Sequence, residues 1–222
     1  MALARISVLI SGRGSNLGAL LEAAAAGTIR GAVTQVVSNS ADAAGLALAR
    51  RHGVATSVID HAAHPTREAF DAALAGTLEA AEPDLVVLAG FMRVLGEGFV
   101  QRYEGRMLNI HPSLLPLYPG LHTHRRALAD GVKVHGCTVH FVAPAVDVVP
   151  IVAQGAVPVH PDDDEARLAA RVLAVEHRLL PAAVGWFCRG DIALVQGRVR
   201  FRRAPLADDA VLLSPRLPFD RT

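Results

Sequence analysis

Along residues 1–110 one rhythm repeats: a short β-branched run, a turn, then an alanine-rich helical stretch. No other feature constrains the fold as strongly, because strands separated by helix-length segments pair in parallel and need helices to cover them. Residues 6–10, 33–37, 55–59, 85–88 and 107–110 read as the strands. The fourth run, in DLVVLAG, is apolar without alternation, the pattern of a strand buried on both faces. Helices are expected at residues 16–26, 43–52, 65–81 and 96–103, with Pro65 in a first turn, where its missing N–H does no harm. The economical architecture is α/β, a mostly parallel twisted sheet with helices on both faces.

After Ile110 the rhythm changes. The segment HPSLLPLYPGLHTHR holds three prolines and a glycine, which no single regular element tolerates, so it reads as a structured loop. Ordered loops of that length are commonly functional. A helix near residues 123–129, an alternating strand at 134–142 and a further strand at 151–157 follow. A long helix is then expected from about 162 to 188, its acidic start at Asp162, Asp163, Asp164 and Glu165 suiting the positive end of the helix dipole. IALVQGRVRFR reads as a hairpin turning at Gln196-Gly197. No linker divides the chain, so residues 1–203 are expected to form one domain, with 204–222 a tail lying over its surface.

The balance of charge excludes one class of function. Lysine plus arginine total 22 against 21 acidic residues, and the arginines are dispersed, with Lys133 the only lysine. Such a chain offers no basic stripe for a nucleic-acid backbone. Cys137 and Cys188 lie far apart, with no CxxC and no histidine pair at ligand spacing, so neither a disulfide nor a metal is expected. The apolar run ending at Ile10 is too short for a signal peptide, and no stretch approaches the length of a membrane span. A cytoplasmic protein without membrane or nucleic-acid partners is expected, as a monomer or homodimer.

Two motifs carry chemistry. Ser11-Gly12-Arg13-Gly14-Ser15-Asn16 follows the first strand and opens the first helix, where glycines let backbone N–H groups approach an anion. It is not a Walker loop, because the lysine is missing, and not a dinucleotide fingerprint, because Leu17 replaces the third glycine and Ser38-Asn39 stand where an acid would bind ribose. A phosphate cradle and a plain tight turn capped by Ser15 both fit the hexapeptide. The second motif, Asn109-Ile110-His111-Pro112, ends the fifth strand. Residues i and i+2 of a strand share a face, so the Asn109 amide and the His111 imidazole converge there, an oxyanion donor beside a titratable ring. Downstream, Asp147 stands among Val146, Val148 and Val149, apolar company that raises a carboxyl pKa toward that of a proton carrier. Together these groups suit acyl-type transfer onto a phosphorylated small molecule.

Beyond single motifs, VLISGRGSNL, VVSNSADAAGLALAR, LVVLAGFMRVL, GRMLNIHPSLLPLYPGLHTHR and HGCTVHFV occur in order over about residues 6–195. In this the chain resembles the phosphoribosylglycinamide formyltransferases. The resemblance implies a Rossmann-like formyltransferase fold, with the phosphate site in the N-terminal half and the folate and catalytic groups in the C-terminal half. It also implies formyl transfer from 10-formyltetrahydrofolate to the amine of 5-phosphoribosylglycinamide in purine biosynthesis, with no metal. On this resemblance Gly14, Ser15 and Asn16 hold the phosphate, and Arg67 and Glu176 help bind the phosphoribosylglycinamide. Met92, Arg93, Val94, Leu95 and Val100 line the folate pocket with Val142, Ala143 and Pro144. Asn109, His111 and Asp147 are the catalytic trio, His111 in its cationic form. Two departures stand out. Leu117 replaces a common basic residue, and Val148-Val149 replaces a sequence usually containing glycine. The valines predict a rerouted folate loop with Asp147 displaced from His111, since β-branched residues resist positive φ. A formyltetrahydrofolate hydrolase and a ligand-binding relative with impaired catalysis are the alternatives.

Overall fold

The structure, a computed structural model, describes residues 2–144 and 149–202. Asp147, Val148 and the expected tail at 204–222 lie outside the described residues, and with them the expectation of a rerouted loop.

Among the described residues, nine strands and six α-helices follow the expected rhythm: β1 (Ala4–Ile10), α1 (Ser15–Ala25), β2 (Gly31–Ser38), α2 (Ala44–Arg51), β3 (Ala55–Val58), α3 (Arg67–Glu79), β4 (Leu85–Leu88), α4 (Glu97–Arg102), β5 (Met107–His111), α5 (Thr123–Ala129), β6 (Val134–Phe141), β7 (Ile151–Pro158), α6 (Glu165–Cys188), β8 (Ile192–Val195) and β9 (Arg198–Phe201). The main sheet has seven strands in the order β3-β2-β1-β4-β5-β6-β7. Pairs from β3 to β5 are parallel, while β6 and β7 add antiparallel edges. β8 and β9 form the expected hairpin, with Gln196 and Gly197 both at positive φ in its turn.

Period-two alternation divides the core into two. Ile6, Val8 and Ile10 of β1 and Leu85 and Val87 of β4 join Leu17 and Leu20 of α1, Leu46 of α2 and Leu168, Val172 and Leu180 of α6. Leu9, Val86 and Leu88 point the other way, onto Phe70, Leu74 and Leu78 of α3 and Phe99 and Val100 of α4. Helices therefore cover both faces, as the unalternating apolar β4 requires. Each such side chain removed from water contributes roughly 1.5–3 kcal/mol, which makes the sheet a rigid platform for loops at its carboxyl edge.

One helix start differs from expectation. Pro65 is not in the first turn of α3; Thr66 is the N-cap, its hydroxyl accepting from the Ala69 N–H at 3.2 Å. A threonine oxygen matches an unpaired first-turn donor, which a proline ring cannot do, and Pro65 instead precedes the helix as part of the approach.

Candidate active site

The chain runs outward from β1 to β3 and then returns to β4 on the other side of β1. Loops leaving the carboxyl ends of β1 and β4 consequently diverge and open a crevice, the usual ligand position in such sheets.

The β1–α1 turn lies on one side of it. Gly14 has φ 75°, and a Cβ there would stand 2.7 Å from the Cα of Gly45, which explains the glycine on both counts. It is also the N-cap of α1, and no side chain caps that helix, so Ser15 is not the plain cap that was one reading of the hexapeptide. The first helical bond runs from the Gly18 N–H to the Gly14 carbonyl, leaving the N–H groups of Ser15, Asn16 and Leu17 without helical acceptors. These donors and the helix dipole suit an anion. The Asn16 side chain is committed elsewhere, donating from Nδ2 to Glu176 Oε2 of α6 at 2.7 Å, with both residues buried. Burial pushes the Glu176 carboxyl up, partly offset by this hydrogen bond and by His177. Arg67 is exposed on the first turn of α3.

On the other side, the segment after β4 carries Met92, Arg93 and Val94 exposed, while Leu95 packs against the second core. Val100, grouped with them by the resemblance, is buried in that core. Val142 packs on the same core, and Ala143 and Pro144 are half-buried beside it in sequence.

Next to β4, on the side away from β1, stands the end of β5. Leu108 and Ile110 enter the first core and Met107 the second, so Asn109 and His111 share the Met107 face. Antiparallel pairing places His140 opposite Asn109, with Asn109 Nδ2 3.0 Å from His140 Nε2. His140 Nδ1 lies 2.9 Å from the Phe141 carbonyl, which can only accept, so Nδ1 carries the hydrogen. Burial keeps the His140 pKa low, leaving Nε2 bare to accept from Asn109. The amide thus presents its nitrogen toward His140, with its second N–H unpartnered among the described residues. His111 Nε2 lies 3.0 Å from the Tyr118 carbonyl and donates to it, leaving Nδ1 for chemistry. Burial lowers the His111 pKa, the Tyr118 carbonyl opposing and Arg126 adding to the shift, so the described surroundings favour the neutral ring; the cation implied by the resemblance depends on Asp147, which lies outside the described residues.

The proline-rich loop after β5 is held by side chains. Ser113 Oγ donates to the Leu117 carbonyl at 2.7 Å, Thr138 Oγ1 to the Ser113 carbonyl at 2.7 Å, and Gln154 Nε2 to the Leu115 carbonyl at 2.8 Å. The Leu115–Pro116 peptide is cis. Leu117, where a basic residue is common, is exposed. Among the described residues no group of His, Cys, Asp or Glu could hold a metal ion, and no helix is long and apolar enough to cross a membrane.

An open helix start, an amide and an imidazole on one strand end, and an apolar segment at the switch point form an arrangement suited to acyl transfer, and the chain belongs to the formyl transferase family, whose model matches residues 4–184. It is 49% identical over 189 residues to the phosphoribosylglycinamide formyltransferase of Escherichia coli (strain K12), covering 85% of this chain and 89% of the relative. The Homo sapiens trifunctional purine biosynthetic protein adenosine-3 is 48% identical over 191 residues, 86% of this chain and 19% of that protein. The crystal structure of glycinamide ribonucleotide transformylase 1 from Symbiobacterium toebii superposes with a TM-score of 0.86 at 50% identity, covering 90% of this chain and 94% of that one.

Sequence reasoning missed His140 as the partner of Asn109. The alternation of residues 134–142 was visible, but an antiparallel register cannot be fixed from one strand.

Proposed function

We propose that this chain transfers the formyl group of 10-formyltetrahydrofolate to the amine of 5-phosphoribosylglycinamide, a step of purine biosynthesis. The reading rests chiefly on Asn109 and His111 sharing the face of β5 at the carboxyl edge, on the strand next to β4, which leads into the 92–95 segment. The names of the relatives agree with it. The Gly14, Ser15 and Asn16 backbone takes the phosphate, Arg67 and Glu176 help hold the rest of that substrate, and residues 92–95 with 142–144 take the folate.

The amine nitrogen attacks the formyl carbon, the carbonyl electrons move to oxygen, and the free N–H of Asn109 donates to that oxyanion. His111 Nδ1 accepts the proton lost by the amine. The resulting imidazolium stands beside the oxyanion and favours it. As the carbonyl reforms, the bond to folate N10 breaks and N10 takes up a proton. Asp147 is the carboxylate proposed to stabilise the imidazolium and, through water, pass the proton to N10.

The test is tetrahydrofolate release followed spectroscopically with phosphoribosylglycinamide present or omitted. Turnover that requires the amine is expected; turnover without it identifies a hydrolase, and binding without turnover an inactive relative. His111→Ala and Asn109→Ala should each lower kcat by roughly two to four orders of magnitude.

A further inference from the structure

The segment between β4 and α4 belongs to no regular element, yet its two ends are fixed by side chains from elsewhere. At its start, the Met92 N–H donates to Ser11 Oγ at 2.7 Å. The Ser11 N–H donates to the Gly90 carbonyl at 3.2 Å, so this one residue grips the segment twice. The hydroxyl passes its own hydrogen to Asn39 Oδ1 at 2.5 Å, and Asn39 is buried at the end of β2. A hydroxyl that donates to a fixed amide oxygen must present its lone pairs elsewhere, and here they meet Met92. At the far end, the Gly96 N–H donates to Asp71 Oδ2 at 2.7 Å. Gly96 is the N-cap of α4 and has no side chain with which to cap that helix, and Asp71, from α3, holds the helix start by accepting from the Gly96 N–H itself. Between the pins, Phe91 stacks on Phe70 at 6.5 Å between ring centroids and Leu95 packs on the second core. Met92 and Val94, 65% and 74% exposed, are left pointing outward.

Neither pin is an economical way merely to hold a loop. Asp71 is buried, and its second oxygen, Oδ1, has no hydrogen-bond partner, an arrangement that opposes the charged form. Both pins are also placed in relation to the other substrate's site. Ser11 opens the hexapeptide whose later residues form the cradle, and Asp71 lies one helical turn beyond Arg67.

We infer that Ser11 and Asp71 form a two-ended clamp that sets the conformation of segment 92–95 and so acts as a positioning pair for the folate side of the reaction. This rests on the assignment of that segment to the folate pocket. Neither side chain need touch the folate, and neither is a catalytic residue. A released segment would still have its apolar side chains, but folate binding would first have to order them, and affinity falls in proportion to the competent fraction.

The experiment compares Ser11→Ala, Asp71→Ala, Asp71→Asn and Val94→Asp in the full chain. It reads KM for both substrates and a calorimetric Kd for tetrahydrofolate, with melting curves to show that each variant is folded. Ser11→Ala and Asp71→Ala should each raise KM and Kd on the folate side by roughly tenfold, the scale of one lost hydrogen bond to a charged or buried group, with a much smaller change for phosphoribosylglycinamide. Asp71→Asn should recover most of the loss, because its amide oxygen can still accept from Gly96. A merely structural role would not give that split or that recovery. Should Asp71→Ala fail to fold, Ser11→Ala and Asp71→Asn carry the same test. If Val94→Asp weakens tetrahydrofolate binding while the pin variants leave it unchanged, or if they raise both KM values equally, the clamp is wrong. If Val94→Asp leaves tetrahydrofolate binding unchanged, the assignment of the segment to folate fails and the inference with it.

Discussion

His135 shows how much a single side chain can set in this protein. It is 1% exposed, stacks edge-on with Tyr118 and His124, and has its Nε2 buried without a hydrogen-bond partner. Burial, aided by His124 and His111 and opposed by the Pro112 carbonyl, lowers its pKa to about 4. The unfolded chain therefore binds a proton near pH 6.5 that the folded chain refuses until about pH 4, so stability falls as pH falls through that window. The loss between pH 7 and pH 4 should be on the order of 3 kcal/mol, and His135→Phe should remove that part of the slope. Urea unfolding of both proteins across the window checks it; parallel pH profiles would show that His135 does not carry the effect. Two other residues mark the limit of reading at this scale. That Asn109 and His111 share a face follows from strand period alone, but the neutrality favoured at His111 comes from burial and the Arg126 charge, against the Tyr118 carbonyl, and spacing encodes none of these.

At the scale of elements, the sequence was most legible where local chemistry decides. The hairpin turn at Gln196-Gly197 and the acidic start of α6 are local signals; the turn lies where the residues indicate, and α6 begins within the acidic cluster, at Glu165 and not at Asp162, with Asp164 Oδ1 accepting from the Arg167 N–H at 2.8 Å. The start of α3 was misread because two neighbouring residues each carry a helix-start signal, and the threonine oxygen does what the proline ring cannot. Thr66→Ala should therefore cost about 1 kcal/mol, the usual effect of losing such a cap, whereas Pro65→Ala should cost a few tenths at most. Urea midpoints at constant slope separate the two, and the reverse order would restore Pro65 as the helix start. The pins at Ser11 and Asp71 were not legible at all. One joins residues 81 apart and the other 25 apart, and each depends on how the β4–α4 segment lies over the sheet. Asn16 and Glu176 were each named only by resemblance, and their pairing across 160 residues was not legible, since no local pattern joins α1 to the middle of α6.

The whole molecule is a sheet with a different supporting layer under each side of the crevice. α1, which begins at the cradle, and α6, which supplies Glu176, share the first core; α3 and α4, which flank the 92–95 segment, share the second with the Asn109 and His111 face. Leu20 and Leu74, each fully buried, lie in the first and second cores respectively. Truncating either to alanine should destabilise by roughly 2–5 kcal/mol, so stability alone does not tell them apart. Their effects on substrates should. On the proposed assignments, a cavity under α1 loosens the proposed cradle and should raise KM mainly for phosphoribosylglycinamide, while a cavity under α3 loosens the Asp71 end of the proposed folate segment and should raise KM mainly for folate. Arg67 also starts α3, so Leu74→Ala should carry some effect on the phosphorylated substrate, making the crossing unequal rather than complete. Steady-state kinetics well below each variant's melting temperature, with both substrates varied, measure the ratio of the two KM changes. A ratio that moves in opposite directions for the two variants supports separate mechanical supports for the two sites; the same ratio in both would mean that strain passes freely through the sheet and the molecule responds as one body.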